Sequence, residues 1–345
     1  MLKVCVIGGT GYAGIELIRL LNAHPQVELY HLVSNSMAGK NLSEVYPNFK
    51  ECLKASYEQL NMDKIQQCDI IFTALPHGVS SEIVPKLYNM GKTIIDLSGD
   101  FRYNDPQVYK VWYGKEHKAP DILKQAVYGL PELHREEIKN ARLVGNPGCY
   151  TTASILALAP LLKNNIIDHN SIIIDAKSGT TGAGRGLSLG LHFSECSQNI
   201  KAYSVAVHRH TSEIEQELSL TAQTQVKVSF TPHLIPVKRG ILVTAYGNLY
   251  CEMEWHRIFE MYAHFYKDAP FVRLYKEGDL PETKHVSGSN FCDIGIVVDK
   301  RVNRIIIITA LDNIVKGAGG QAIQNMNLML GLEETTGLMF PGYYL

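Results

Sequence analysis

Leu2-Lys3-Val4-Cys5-Val6-Ile7-Gly8-Gly9-Thr10-Gly11-Tyr12-Ala13-Gly14 stands at the start of the sequence. Its first half is a short apolar run ending at glycine, the pattern of a strand buried on both faces of a parallel sheet. Gly9-Thr10-Gly11-Tyr12-Ala13-Gly14 then matches G-x-G-x-x-G. Residues 12–23 carry Ile15, Leu17, Ile18, Leu20 and Leu21, a helical pattern. Strand, glycine turn and helix in this order are the context in which the motif signals dinucleotide binding. Glycine permits the tight turn and lets backbone N–H groups approach a pyrophosphate, and the helix N-terminus adds partial positive charge. An ordinary glycine turn explains the motif alone but not its placement.

Reading outward, residues 27–33 predict a second strand and residues 69–75 a third, stopped by Pro76. A helix over 79–90 and a strand over 93–97 follow. Strands alternating with helices predict an α/β class with a parallel doubly wound sheet. At the end of the second strand an NAD site places Asp or Glu on the ribose. Here the stretch is Val33-Ser34-Asn35-Ser36-Met37-Ala38-Gly39-Lys40, with no carboxylate. Ser34, Ser36 and Lys40 suit a 2′-phosphate, so NADP is the expected cofactor; the competing reading of Lys40 is a solvated charge.

Beyond about residue 148 the texture changes. A helix over 151–163 and a strand over 171–176 precede a glycine-rich loop, 178–190. Runs at 225–231, 241–250, 294–299 and 304–310 are rich in Val, Ile and Thr and predict one mixed, largely antiparallel sheet. Residues 314–330 predict a helix with a glycine cluster at 317–320. The expected domains are 1–148, joined by the C-terminal segment from about 313 to 345, and 149–312.

The whole chain has 345 residues, 46% hydrophobic and 19% charged, with a net charge of −1. That balance fits a globular enzyme and offers no basic excess for nucleic acid or an anionic membrane. The N-terminal segment lacks the zones of a signal peptide, and no apolar run approaches a membrane span. Seven cysteines without a C-x-x-C indicate neither a disulfide framework nor a cysteine zinc site. A cytoplasmic protein is expected.

Asn146-Pro147-Gly148-Cys149-Tyr150-Thr151-Thr152 leads into the apolar helical run. A cysteine at a helix N-terminus favours the thiolate, which attacks carbonyls and forms a thioester that hydride can reduce. The plainer reading of Cys149 is a small buried hydrophobe, which suffices for the other six cysteines. In His208-Arg209-His210-Thr211-Ser212-Glu213-Ile214-Glu215, Ser212 and Glu215 have capping-box spacing, so a helix start near 213 is expected. The histidines just before it suit acid/base work, and loop hydrogen bonding explains them equally well. Lys177 to Gly186 is glycine-rich with basic ends and suits an anion or a nicotinamide, or is a flexible surface loop. Arg102, Lys238 and Arg239 are further basic candidates for a carboxylate or phosphate, each alone also readable as a solvated charge.

Together GGTGYAG (8–14), TALPHG (73–78), DLSGDFR (96–102), GNPGCY (145–150), KSGTTGAGR (177–185), HRHTSEIEQEL (208–218), PHLIPVKRG (232–240) and DNIVKGAGGQA (312–322) resemble the N-acetyl-γ-glutamyl-phosphate reductase family over nearly the whole chain. The resemblance implies a Rossmann domain, a catalytic and dimerisation domain like that of aspartate-semialdehyde dehydrogenase, NADP, and Cys149 as nucleophile. Phosphate leaves as the thioester forms on Cys149, hydride reduces that thioester, and a histidine supplies a proton, His210 being preferred to His208. The expected substrate contacts are Arg102, Glu213, Lys177 and Arg239. The expected cofactor contacts are Gly9, Thr10, Gly11, Tyr12, Gly14, Ser34, Ser36, Lys40, Pro76, Ser98, Gly179, Gly182 and Asn313; no metal is expected. The partner is a small molecule, and the chain is expected to be a homo-oligomer. Thr151 and Ser212 depart from the family, which usually has proline at both positions; either residue can open a helix by capping. Alternatives are the same chemistry on aspartyl phosphate or on a carrier-bound acyl phosphate, and a non-catalytic NADP-binding redox regulator.

Overall fold

The apolar run Leu2–Ile7 forms strand β1 in the computed structural model, which describes residues 1–344. Val4–Ile7 are buried because helices cover both faces of the sheet. Strands β2 (Val27–Val33), β3 (Tyr57–Glu58), β4 (Ile70–Thr73), β5 (Thr93–Asp96), β6 (Val127–Tyr128) and β7 (Leu143–Gly145) complete a seven-stranded sheet. Its order is β3-β2-β1-β4-β5-β7-β6, parallel throughout. The order reverses at β1, where β2 lies on one side and β4 on the other. Ligands bind doubly wound sheets at the carboxyl ends of strands beside such a switch point, and the glycine turn occupies that position.

The second sheet contains β8 (Ile173–Ser178), β9 (Lys201–Ala202), β10 (Ser229–Leu234), β11 (Ile241–Asn248), β12 (Val272–Leu274), β13 (Cys292–Asp299) and β14 (Arg304–Leu311). Its order is β12-β13-β14-β11-β8-β10-β9. Only β8/β10 and β12/β13 pair in parallel, so the sheet is mixed and largely antiparallel, as expected. Strand β11 alternates strictly, with Ile241, Val243 and Ala245 buried on one face and Leu242, Thr244 and Tyr246 half-buried on the other. The strand expected over 225–231 starts later, at Ser229, where its register with Ile173 begins.

Two compact units divide the chain: Met1–Pro147 with Ala318–Met339, and Gly148–Gly317 with the tail from Phe340. The expected handover at about 313 therefore falls later, and the tail belongs with the second unit. Tyr343 N donates to Ser287 O at 2.8 Å, and the Tyr344 ring stacks on His285. Leu345, the end of that expected segment, lies outside the described residues. The helix expected over 314–330 is one π-helical turn, Val315–Gly319, followed by an α-helix over Gly320–Met329. Among the described residues no helix is long and apolar enough to cross a membrane.

Candidate active site

Cys149 is the first residue of the helix Cys149–Lys163. Tyr150 through Leu162 are all buried, as an apolar helix inside a domain must be. Gly148 caps it in extended conformation (φ −69°, ψ 153°), and no side chain caps the first turn. The positive end of the helix is therefore directed at Cys149, which is partly exposed. Cys5, Cys68 and Cys292 are buried, and Cys52 and Cys251 are exposed without a comparable setting.

The second helix of the site begins at His210, three residues before the start that the Ser212/Glu215 spacing predicts. Arg209 stands at the cap position without a side-chain hydrogen bond, and His208 Nδ1, one residue earlier, accepts the His210 N–H at 3.1 Å. With the end satisfied by an imidazole, no capping box forms. Ser212 Oγ donates to Arg209 O, and Glu215 Oε1 accepts from Val228 N. His210 thus belongs to the first turn of a rigid element rather than to a loop.

Two glycines report how close the groups lie. A Cβ added to Gly148 would sit 2.4 Å from His210 Nε2, and one added to Gly317 would sit 2.7 Å from Cys149 Cβ. His210 thus packs on the residue before Cys149 and the π-helical turn on Cys149 itself, in space that only glycine leaves. Gly148→Ala should push the imidazole aside. We expect kcat to fall roughly tenfold or more, since misplacement by about 1 Å can cost that much; an unchanged kcat would show that the His210–Gly148 contact does no catalytic work.

Aromatic groups wall the histidines. The His208 ring meets Tyr150, Tyr203, Phe230 and His210 edge-on, with centroids between 4.7 and 5.8 Å. Burial there, reinforced by Arg209, holds the His208 pKa down to about 4. Tyr203 Oη donates to Tyr150 Oη at 3.2 Å, and Tyr150 Oη to His233 O at 3.1 Å. Burial pushes the Tyr203 phenol up to about 12 and Tyr150 higher still, with the neighbouring Cys149 charge adding to both, so both stay protonated beside the sulfur.

The two basic loops of this unit come together. Gly179 N donates to Gly240 O, Thr180 N to Val237 O and Thr181 N to Lys238 O, so residues 179–181 are pinned rather than flexible. Gly179 permits that approach, since an added Cβ would lie 2.8 Å from the Lys238 carbonyl. Gly182 approaches Ser178 Oγ. Asn313, an expected cofactor contact, is buried and joins the loops: Oδ1 accepts from Gly240 N at 2.7 Å, and Nδ2 donates to Thr181 Oγ1 at 2.9 Å. Arg239 is held by Asp312 at 2.8 Å. Lys177 lies half-buried on β8, with Nζ 3.3 Å from Asp175. Glu213, expected to hold substrate, is fully buried and faces the nucleophile turn: its Oε1 accepts from Gly148 N and Thr151 Oγ1, each at 2.8 Å.

In the first unit the glycine turn has the shape a pyrophosphate requires. Gly8 adopts φ +90°, and a Cβ there would lie 2.5 Å from Ala74 O. Gly14 lies against Gly9, whereas nothing stands within 4 Å of a Cβ at Gly11. Tyr46 Oη donates to Thr10 O at 2.6 Å and Tyr57 Oη to Gly9 O at 3.1 Å, so carbonyls that would repel an anion are turned onto phenols. The helix Tyr12–Asn22 has neither a side-chain cap nor an acid in its first turn. These residues fit a dinucleotide. After β2, Ser34 Oγ lies 3.4 Å from Ser36 Oγ, and Lys40 is exposed. Glu58, opposite Val33 in the register, has its carboxylate on Lys64 at 2.5 and 2.7 Å. Pro76 follows β4, next to the Ala74-Leu75 segment that Gly8 touches.

Ser98 and Arg102 are both buried. Ser98 Oγ donates to Asp96 at 2.5 Å; Arg102 Nε donates to Asn146 O at 2.7 Å and Nη2 to Leu97 O at 3.0 Å. They brace the carboxyl ends of β5 and β7. Sequence reasoning gave no role to Tyr203 or Gly317, and to Thr151 only that of opening a helix. The glycine cluster at 317–320 and the departure at Thr151 carried the visible signals.

Family models match both halves of the chain. A semialdehyde dehydrogenase NAD binding domain matches residues 3–141, and a semialdehyde dehydrogenase dimerisation domain matches residues 149–313. The chain is 55% identical to N-acetyl-gamma-glutamyl-phosphate reductase of Acetivibrio thermocellus over 100% of both chains. It is 54% identical to the enzyme of that name from Alkaliphilus metalliredigens over 98% of both. Among solved structures, aspartate semialdehyde dehydrogenase II of Vibrio cholerae complexed with ASA has a TM-score of 0.73 at 17% identity, covering 96% of this chain and 98% of that one. The Candida albicans enzyme with NADP has a TM-score of 0.70 at 15% identity, covering 96% and 99%. At such identities the likeness is one of fold.

Proposed function

The chain belongs to the N-acetyl-gamma-glutamyl-phosphate reductase family, and from that premise we propose that it reduces N-acetyl-γ-glutamyl phosphate to N-acetylglutamate 5-semialdehyde, with release of phosphate, in arginine biosynthesis. The observation that carries this reading is Cys149 at an uncapped helix N-terminus, with His210 Nε2 packed against the preceding glycine.

Cys149 Sγ, as thiolate, attacks the acyl phosphate carbonyl. First-turn N–H groups near 149 and 150 face the developing oxyanion. Phosphate leaves, and a thioester joins the acyl group to Cys149. Bound NADPH supplies the hydride. The thiohemiacetal on Cys149 then collapses to aldehyde and regenerates the thiolate. The reaction takes up one proton overall, and its transfer falls to His210 Nε2. Tyr150, Tyr203 and His208 keep bulk water away from that proton. Lys177 and the pinned loops 178–184 and 237–240 supply positive charge and N–H donors for the anionic substrate. The first unit holds the dinucleotide through Gly9, Thr10, Gly11, Tyr12 and Gly14, and Ser34, Ser36 and Lys40 receive the 2′-phosphate. The active form is a cytoplasmic homo-oligomer built through the 149–313 domain, in keeping with the dimerisation model it matches.

An NADP⁺-reduction assay in the presence of phosphate, comparing N-acetylglutamate semialdehyde with aspartate semialdehyde and an aminoadipate-type aldehyde, tests the substrate. Turnover is expected with the first only; preference for either other aldehyde overturns the assignment. The absence of a free acid after β2 predicts a clear preference for NADPH. Comparable kcat/KM values with NADH would contradict it.

A further inference from the structure

Gly148, the residue just before Cys149, is held through both of its backbone polar groups. Gly148 N donates to Glu213 Oε1 at 2.8 Å. Gly148 O accepts from Thr151 Oγ1 at 2.6 Å and Thr152 Oγ1 at 3.1 Å, besides the helical N–H of Thr152. Thr151 Oγ1 also lies 2.8 Å from Glu213 Oε1, so this hydroxyl stands between the carboxylate and the Gly148 carbonyl. Thr151, Thr152 and Glu213 are completely buried, so no water substitutes for these contacts. A hydroxyl has one proton and two acceptor sites. The proton goes to one of the two acceptors at a time, so the hydroxyl serves in turn the Gly148 carbonyl at the start of its own helix and the Glu213 carboxylate on the other. That acid is one helical turn beyond His210, which presses Nε2 on Gly148 itself.

We propose that Thr151 is a positioning residue: with Glu213 it clamps Gly148, and the clamp holds Cys149 Sγ on the axis of the helix N-terminus and in register with His210. The inference rests on Cys149 being the nucleophile. Thr151 touches no substrate from its buried site; it acts through the residue before Cys149. The hydroxyl does this, not the methyl group, since valine would fill the same volume and leave the carboxylate and carbonyl untied.

The test uses the full chain with Thr151→Val and Thr151→Ser. One readout is the rate of Cys149 alkylation by iodoacetamide from pH 5 to 10, followed by mass on the peptide that contains it; the other is steady-state kcat and KM. Thr151→Val should move the alkylation midpoint upward and lower kcat about tenfold, the scale of a lost hydrogen bond to a charged group, with KM for NADPH unchanged. Thr151→Ser should restore both to within about twofold. If valine disrupts folding, Thr151→Pro removes the same hydroxyl at a first-turn position that tolerates proline, and the same upward shift is expected. A wild-type alkylation profile and kcat in either hydroxyl-free variant overturns the clamp, as does a serine variant as impaired as valine. Wild-type Cys149 no more reactive than the exposed Cys52 would instead overturn the nucleophile reading, and the clamp with it.

Discussion

Cys149→Ser should abolish nearly all reductase activity. The helix N-terminus favours a thiolate in the physiological range, whereas a serine hydroxyl ionises far outside it. A serine ester is also a poorer hydride acceptor than a thioester. Stability should change little, because the site is partly exposed and the substitution opens no large cavity. NADPH binding should persist, since the glycine turn Gly8–Gly14 lies in the unit Met1–Pro147. The measurement is direct: wild-type protein is mixed with the acyl phosphate without NADPH, quenched in acid and weighed. An acyl adduct belongs on the peptide containing Cys149 and should be missing from Cys149→Ser. Sustained turnover by the serine variant would show that reduction does not pass through this sulfur.

What could be read from the chain alone was what neighbouring residues decide among themselves. The strand, glycine turn and helix of 2–23 lie contiguous in sequence, and Pro147-Gly148 before an apolar run places Cys149 at a helix start whatever packs around it. Side chains whose partners are remote were not legible. Glu213 reads in sequence as a substrate contact, and nothing near it in the chain tells that Gly148 N and Thr151 reach its carboxylate from another helix. Arg239 meets Asp312, and Asn313 bridges residues 181 and 240, contacts that exist only once the second sheet is assembled. The start of the second helix was missed because His208 takes the first N–H of the helix, while Ser212 and Glu215, which have capping-box spacing, bond to Arg209 O and Val228 N. Gly317 stood out in sequence as part of a glycine cluster, but only its closeness to Cys149 explains why no side chain is present there.

His210→Ala should lower kcat about 10²–10⁴-fold, the usual worth of general acid/base help, with little effect on cofactor affinity. His208→Ala should cost far less. The two rings differ in what their nitrogens already do. His208 Nδ1 accepts the His210 N–H, which requires a lone pair on that nitrogen, and burial holds the ring's pKa to about 4. At neutral pH it is therefore uncharged and serves as acceptor for the first N–H of the helix. Its ordinary pKa of 6.5 is depressed by folding, so its contribution to stability is complete above pH 6.5 and is lost as pH falls toward 4. His208→Ala should remove that pH dependence and about 1 kcal/mol of stability through the lost hydrogen bond to the His210 N–H, while His208→Asn, whose side-chain oxygen can accept the same N–H, should recover part of the stability. His210 presents Nε2 at Gly148, the residue before Cys149. Rates of both alanine variants across pH 5–9, with NADPH affinity measured separately, separate the roles. A large loss in His208→Ala with near-normal turnover in His210→Ala would reverse the assignment; normal turnover in both would make the pair structural and leave the proton to another group.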